Sequence, residues 1–278
     1  ITAYNTNMAI NESYIDSATL RENVVSLARN IGYVPRSKKS PTAKVDFTID
    51  VSSTQAKTLK LHKGMVASGQ VANGDFVFSI PDDITANADA NDVVTFSDIE
   101  IYEGTLLTKT FTVDDSQVDA KYILPNANID TSTIRVTITN PSGTGEVYNL
   151  YDNIYQVNSR SRLFLVQEIS DEKYQLLFGD GTLGRKPEDG STISVSYIVT
   201  QGELGNGAAN FSFNGKLTYT IGGFDQSVTD GVSFLTTTQA SENGASIESV
   251  DSIKYLAPRV FASQQRAVTA NDYISLIP

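Results

Sequence analysis

The sequence predicts an α+β protein, predominantly antiparallel β, with β-sandwich or meander domains between helical segments at both ends. Three observations predict it. Near each end apolar residues recur at spacings of three and four, between the ends they alternate with polar residues, and clusters of Gly, Asn, Asp and Pro punctuate that alternation.

The elements follow in order. In TLRENVVSLARNIGY, Leu20, Val24, Leu27 and Ile31 step by four, three and four, and Thr19 with Glu22 fits a capping box. Gly32 followed by Tyr33 supplies a left-handed stop, and Pro35 prevents continuation. The period then changes to two. In VDFTIDV, Val45, Phe47, Ile49 and Val51 alternate with Asp46, Thr48 and Asp50, the pattern of a strand with one buried and one wet face. KTLKLH, DFVFSI, VVTFSDIEIY, KTFTV and TIRVTIT continue the series to residue 139, and RLFLVQEI, KYQLLF and STISVSYIVT extend it beyond. NPSGTGE, at 140–146, is seven residues of turn formers between two strand-rich halves and marks the expected domain junction. The expected organisation is therefore an N-terminal helical segment (1–43), a first β domain (44–145), a second β domain (146–243) and a C-terminal helical segment (244–278). In that last segment Ile247, Val250, Ile253 and Leu256 step by three, Pro258 is expected to stop them, and Thr269 with Asp272 opens another helix.

Composition limits the chemistry. The chain has 278 residues, 40% hydrophobic and 19% charged, enough for a real core. The longest apolar runs are as short as Leu163 to Val166, far from the roughly 18 residues of a membrane span. It begins with Ile1 and shows no signal peptide, and it reads as a fragment of a longer chain. No cysteine is present, so disulfides, thiolate nucleophiles and Cys-based metal sites fall away together. A net charge of -11 repels nucleic acid phosphates, so no nucleic acid partner is expected. That charge is uneven: from Arg29 to Lys63 eight basic residues, among them Arg36, Lys38 and Lys39, face only Asp46 and Asp50. Such asymmetry can steer an oriented contact between subunits, and it also suits a plain solvated face.

Residues 178–190, FGDGTLGRKPEDG, hold four glycines, two aspartates and a proline. A phosphate-binding loop needs Lys then Ser or Thr after its last glycine and a helix behind it, whereas Gly184 is followed by Arg185, Lys186, Pro187 and a strand. A calcium loop counted from Asp180 would place Ser191 where a Glu must stand. Paired turns remain. NADAND (87–92) offers alternating oxygens but has Asp92 where the sharp-turn glycine belongs, and GELGNGAAN (202–210) lacks the third glycine of a dinucleotide loop. His62 is the single histidine, flanked by lysines in KLHKG, and reads as a solvated surface residue rather than a catalytic base. Asp82 with Asp83 and Asp114 with Asp115 are adjacent in loops, not opposed across a cleft. No catalytic, cofactor-binding or metal-ligating set is assigned, and no cofactor is expected.

What survives the elimination is a structural or binding protein. FGDGTLGRKPEDGSTISVSYIVTQGELGN (178–206) resembles the most recognisable stretch of the baseplate J-like family, the wedge subunits of contractile phage tails. SATLRENVVSLARNIGYVPRSKKSPTAKV (17–45) is similar to that family's helix, Gly-Tyr-x-Pro turn and entry to the sheet. YLAPRVFASQQRAVTANDYISLI (255–277) is similar to its Ala-Pro, Gln-Arg-Ala-Val-Thr and Asp-Tyr signature. The resemblance implies a non-enzymatic virion protein of the tail baseplate, assembled in the host cytoplasm. Its partners would be itself, as a dimer and within a ring around the hub, and other wedge proteins. The family's motifs carry no catalytic residues. Residues 70–145 match no motif.

One contact element is expected in PRVFASQQRAV (258–268), read as a loop between two helices. Val260 and Phe261 would be its apolar anchors, with Gln264, Gln265 and Arg266 directing hydrogen bonds. The competing reading makes Phe261 ordinary core. A receptor- or glycan-binding tail module is the alternative function and needs an exposed aromatic cluster or a metal loop. A tail-associated hydrolase would need a buried carboxylate of raised pKa in a cleft.

Overall fold

The computed structural model describes residues 2–54, 56–71, 74–117, 120–151, 157–221, 223–228, 231–233 and 235–263. Two helices come first, α1 (Thr2–Asn11) and α2 (Arg21–Asn30). Six strands follow: β1 (Thr42–Asp50), β2 (Thr58–Leu61), β3 (Gly64–Val71), β4 (Gly74–Ile80), β5 (Ile84–Asn87) and β6 (Val93–Glu103). The next seven are β7 (Thr105–Thr112), β8 (Tyr122–Ile123), β9 (Ile129–Thr139), β10 (Gly145–Leu150), β11 (Leu163–Glu168), β12 (Tyr174–Phe178) and β13 (Thr192–Val199). The chain closes with β14 (Phe211–Phe213), β15 (Leu217–Ile221), β16 (Phe224–Val228), β17 (Thr236–Glu242) and α3 (Val250–Ser263).

Alternation decides the first core. Val45, Phe47 and Ile49 all turn inward from β1, as their period of two requires, and Val51 is buried just beyond its end. The strand lies in a six-stranded sheet ordered β14-β3-β4-β6-β1-β17, which faces a four-stranded sheet ordered β16-β15-β2-β5. Phe47 stacks on Phe96 at 4.8 Å, and Leu59, Leu61 and Leu217 close the core from the smaller sheet. This is a two-layer sandwich.

The strands β7 to β13 form a different object. Their seven-stranded sheet runs β7-β13-β9-β10-β11-β12-β8 and is antiparallel except where β10 meets β11. Phe111 on β7 lies edge-to-face, 5.6 Å from Tyr122 on β8, so the two ends of the sheet approach and the sheet curls around its own core.

The expected junction at 140–146 lies inside this second unit, because the segment is the hairpin turn joining β9 to β10, with Asn140 and Thr144 paired through the backbone. The cores divide the chain elsewhere: β1 to β6 and β14 to β17 build the sandwich, and β7 to β13 are inserted between them. Turn-forming residues mark a reversal of the chain, and a hairpin and a domain boundary need the same ones. The chain crosses between the units at Gly104 and again after Val199. A Cβ on Gly104, at φ +124, would lie 2.4 Å from the Val199 carbonyl oxygen, so the close crossing requires glycine.

The helices form a third, smaller core of Ala18, Val24, Val25, Ala28, Ile253 and Ala257. Leu20 is exposed, and the buried face of α2 is rotated from the expected stripe to Val24, Val25 and Ala28. Leu27 and Ile31 flank it. The helix end follows expectation: Tyr33 N–H donates to Ala28 O at 3.0 Å and Gly32 N–H to Arg29 O at 2.9 Å, with Gly32 at φ +81.

Candidate functional site

The helices are joined to the β units by a buried polar seam. Arg21, the first residue of α2, donates through Nε to Glu168 Oε1 at 2.7 Å and through Nη2 to Oε2 at 3.0 Å. Glu168 ends β11, so this two-pronged ion pair ties the helices to the inserted unit. The third arm of the guanidinium reaches the Glu248 carbonyl. The Glu248 carboxylate is buried just before α3 and accepts from the Tyr33 hydroxyl at 2.7 Å, the Ser252 hydroxyl at 2.8 Å and the Arg36 N–H at 2.9 Å. Burial, with Glu248 beside it, pushes the Tyr33 hydroxyl pKa up, so it stays a donor.

The expected capping box at Thr19 and Glu22 is absent, since no side chain caps α2 through its own N-cap residue. Glu12 does that work from the preceding segment. Its carboxylate accepts from Thr19 Oγ1 at 2.6 Å, Thr19 N at 2.8 Å, Asn23 Nδ2 at 2.9 Å and Leu20 N at 3.2 Å. These bonds, led by those from the Thr19 and Asn23 side chains, pull its pKa down to about 2.

Residues 36–40 form a strap between α2 and β1. Lys39 pairs with Ala245 through two backbone bonds of 3.0 and 3.1 Å, the Ser37 hydroxyl lies 2.9 Å from Thr131 Oγ1, and Ser40 N–H donates to the buried Asp130 at 2.8 Å. Lys38 turns inward and donates to Asn128 Oδ1 at 3.2 Å, while the side chains of Arg36 and Lys39 are exposed. The basic stretch is thus divided. Lys57 pairs with Asp92 and Lys60 with Asp83, so part of the local excess is neutralised within the chain.

At the other end α3 runs from Val250 through Pro258 to Ser263. Proline therefore does not stop this helix. It removes the one N–H that would bond Lys254 O, a loss this helix absorbs against the α2 packing. Residues 258–263 are helical rather than loop, and Gln264, Gln265 and Arg266 lie outside the described residues. Val250, Ile253 and Ala257 make the apolar face that packs on α2. Val260 and Phe261 continue that face by one turn, where Val260 is half-buried and Phe261 is 61% exposed. Tyr255 is 54% exposed and stacks beneath Arg259, whose guanidinium carbon lies 3.5 Å from the ring centre.

The glycine-rich loop is built of turns. Asp180 Oδ1 accepts from Thr182 N at 2.7 Å and Leu183 N at 2.9 Å, and Gly181 N–H donates to Gly184 O at 3.0 Å. A Cβ on Gly179 would sit 2.2 Å from the Gly184 carbonyl carbon. Arg185 anchors the loop to β10 by two bonds to Glu146, at 2.9 and 2.7 Å. In 87–92, Asp89 Oδ1 is committed to the N–H groups of Asn91 and Val93. Among the described residues no group of three or more His, Asp or Glu could hold a metal ion.

His62 is a correction. It is half-buried, with Nε2 2.8 Å from Thr218 Oγ1 and Nδ1 4.0 Å from Asp83 Oδ1. The order resembles a nucleophile, base and orienting acid, but 4.0 Å is too long for the orienting hydrogen bond and Thr218 is buried within β15. A residue that sequence reasoning missed is Glu103. It is buried, and both its hydrogen bonds fall on Oε2: from Thr200 Oγ1 at 2.5 Å and Gln201 N at 3.0 Å. Burial raises its pKa against those bonds and Lys38. Pro41 and Gly205 pack beside its side chain.

No protein-family model matches the chain. The chain is 24% identical, over 99% of its length, to the baseplate wedge protein gp6 of Enterobacteria phage T4. It spans 44% of that relative's length. The alignment supports a baseplate wedge-like family for this chain.

Proposed function

We propose that this chain is part of a structural subunit of a phage tail baseplate wedge. In this reading it self-associates and binds neighbouring wedge proteins, building a ring around the hub that rearranges when the tail contracts. Its role is mechanical rather than enzymatic, and its place is the virion, after assembly in the host cytoplasm. The observation that carries the reading is the alignment of nearly the whole chain with a protein named for that role. The uncovered end of the α3 face is compatible with it, because an exposed Phe beside a half-buried Val at the end of a packed stripe offers an anchor for another chain. Arg36 and Lys39, exposed on the strap, would add charge steering to the contact.

The test is sedimentation equilibrium of the chain and of Phe261→Ala across concentration and salt. The proposal expects a discrete oligomer, weakened about tenfold or more by Phe261→Ala, a loss of at least ~1.4 kcal/mol of association. Thermal unfolding of the variant should stay within about 0.5 kcal/mol of the parent, because the side chain is mostly exposed. A monomer at every concentration, together with binding in a glycan screen, would favour the receptor- or glycan-binding alternative.

A further inference from the structure

The seam between the β units carries one feature that assembly does not call for. We propose that Glu103 is a proton-operated pin at the double crossing, which sets how tightly the inserted unit, β7 to β13, is held against the sandwich.

Glu103 is the last residue of β6, immediately before the outgoing crossing at Gly104, and its two hydrogen-bond donors, Thr200 and Gln201, lie immediately after β13 on the returning crossing. The side chain therefore spans both connections by itself. Its own N–H donates to Pro41 O at 2.8 Å, which adds the strap to the junction. A Cβ on Gly205 would sit 2.7 Å from Glu103 Cγ, so the short turn Gly202–Gly205 packs directly against the stem of the side chain. Gly104 is fixed in turn, its N–H donating to Val77 O at 2.8 Å and its carbonyl accepting from Ser79 Oγ at 2.8 Å.

The other buried carboxylates differ from Glu103 in how they are satisfied. Glu168 has a guanidinium on both oxygens, and Glu248 and Asp130 receive donors on both. Glu103 has donors on Oε2 alone among the described residues. Of the charged side chains on the elements around it, Lys38 on the strap acts on it, while its Nζ is hydrogen-bonded to Asn128. Lys39 and Glu203 are exposed, and Asp130 is occupied by Ser40 and Ser132. An ionised Glu103 therefore sits in a buried site with both its donors on one oxygen and no guanidinium on either. A neutral Glu103 keeps the acceptor role of Oε2 and loses the desolvation penalty. Protonation should tighten the junction, and ionisation should loosen it.

The chain contains no cysteine, so two spin labels can be placed without background. Thr95→Cys on β6 and Leu165→Cys on β11 are exposed strand positions, one in each unit. Their distance distribution would be recorded between about pH 4 and pH 8, a range that brackets a raised carboxyl pKa. The expected result is a narrow distribution at low pH that broadens in one transition as pH rises. Glu103→Gln should stay narrow throughout. Thr200→Val removes a donor to the ionised form while keeping the carboxyl group, and should move the transition up by about one pH unit. A distribution that does not change with pH, that narrows as pH rises, or that keeps its transition in Glu103→Gln would overturn the proposal.

Discussion

Arg21→Ala should cost the helical segment more than any other single exchange on its surface. The Arg21 and Glu168 side chains are 18% and 5% exposed, so the pair is largely shielded from water. Two charge-assisted bonds, at 2.7 and 3.0 Å, disappear together, and the Glu168 carboxylate stays buried without its counter-charge. Each such bond contributes about 1.5–3 kcal/mol, and removing one member of a buried pair costs about 3–5 kcal/mol in total. Replacing both residues, as Arg21→Met with Glu168→Leu, should recover most of that loss because the orphaned charge is gone. The assay is urea unfolding followed by hydrogen exchange in α2. Exchange in α2 reads the helical core separately from the two β cores. A cost below about 1 kcal/mol, the value of an exposed pair, would refute the reasoning. So would a double variant whose loss equals the sum of the singles to within about 0.5 kcal/mol.

Two further outcomes follow from the same structure. Glu12 has a folded pKa of about 2 against an ordinary 4.5, so its contribution to α2 is complete above pH 4.5 and fades as pH falls toward 2. Amide protection at Thr19 and Leu20, taken relative to the intrinsic exchange rate at each pH, should fall across that window, and Glu12→Gln should abolish that fall. Gly104→Ala should destabilise by roughly 2 kcal/mol or more, from positive φ combined with collision against the Val199 carbonyl, whereas Gly32→Ala, with nothing within 4 Å, should cost only about 1 kcal/mol. Thermal unfolding of the two variants side by side checks the difference.

Local chemistry was legible where neighbours along the chain do the work. The inward row of β1, the Gly32 stop of α2 and the turn character of 178–190 all depend on residues within one strand or one turn. The nine strand stretches quoted from the sequence fall on β1, β2, β4, β6, β7, β9, β11, β12 and β13. β3 escaped notice because GMVASGQV has glycine and small residues where alternation would show, and β14 to β17 are short or polar. The capping of α2 escaped because Glu12 reaches it from outside the helix, through a loop whose path the sequence does not specify. Pro258 misled because its cost is fixed, while the packing of Ile253 and Ala257 that outweighs it is tertiary.

The candidate site divides in the same way. Phe261 and Val260 could be named from their type and spacing. Whether they were core or surface depended on where α2 ends relative to α3. Glu103 carried no signal at all: in VVTFSDIEIYE it is one acidic residue among several at the end of an ordinary strand. By itself the sequence determined the fold class, the inward face of most strands and the absence of thiol chemistry, since these are properties of composition and short-range periodicity. The insertion of one β unit within the other, the burial of Glu103 against Thr200 and the bond from Arg21 to Glu168 were decided only by the tertiary structure. Each joins residues about a hundred or more positions apart, and no local pattern specifies which distant partner closes a contact.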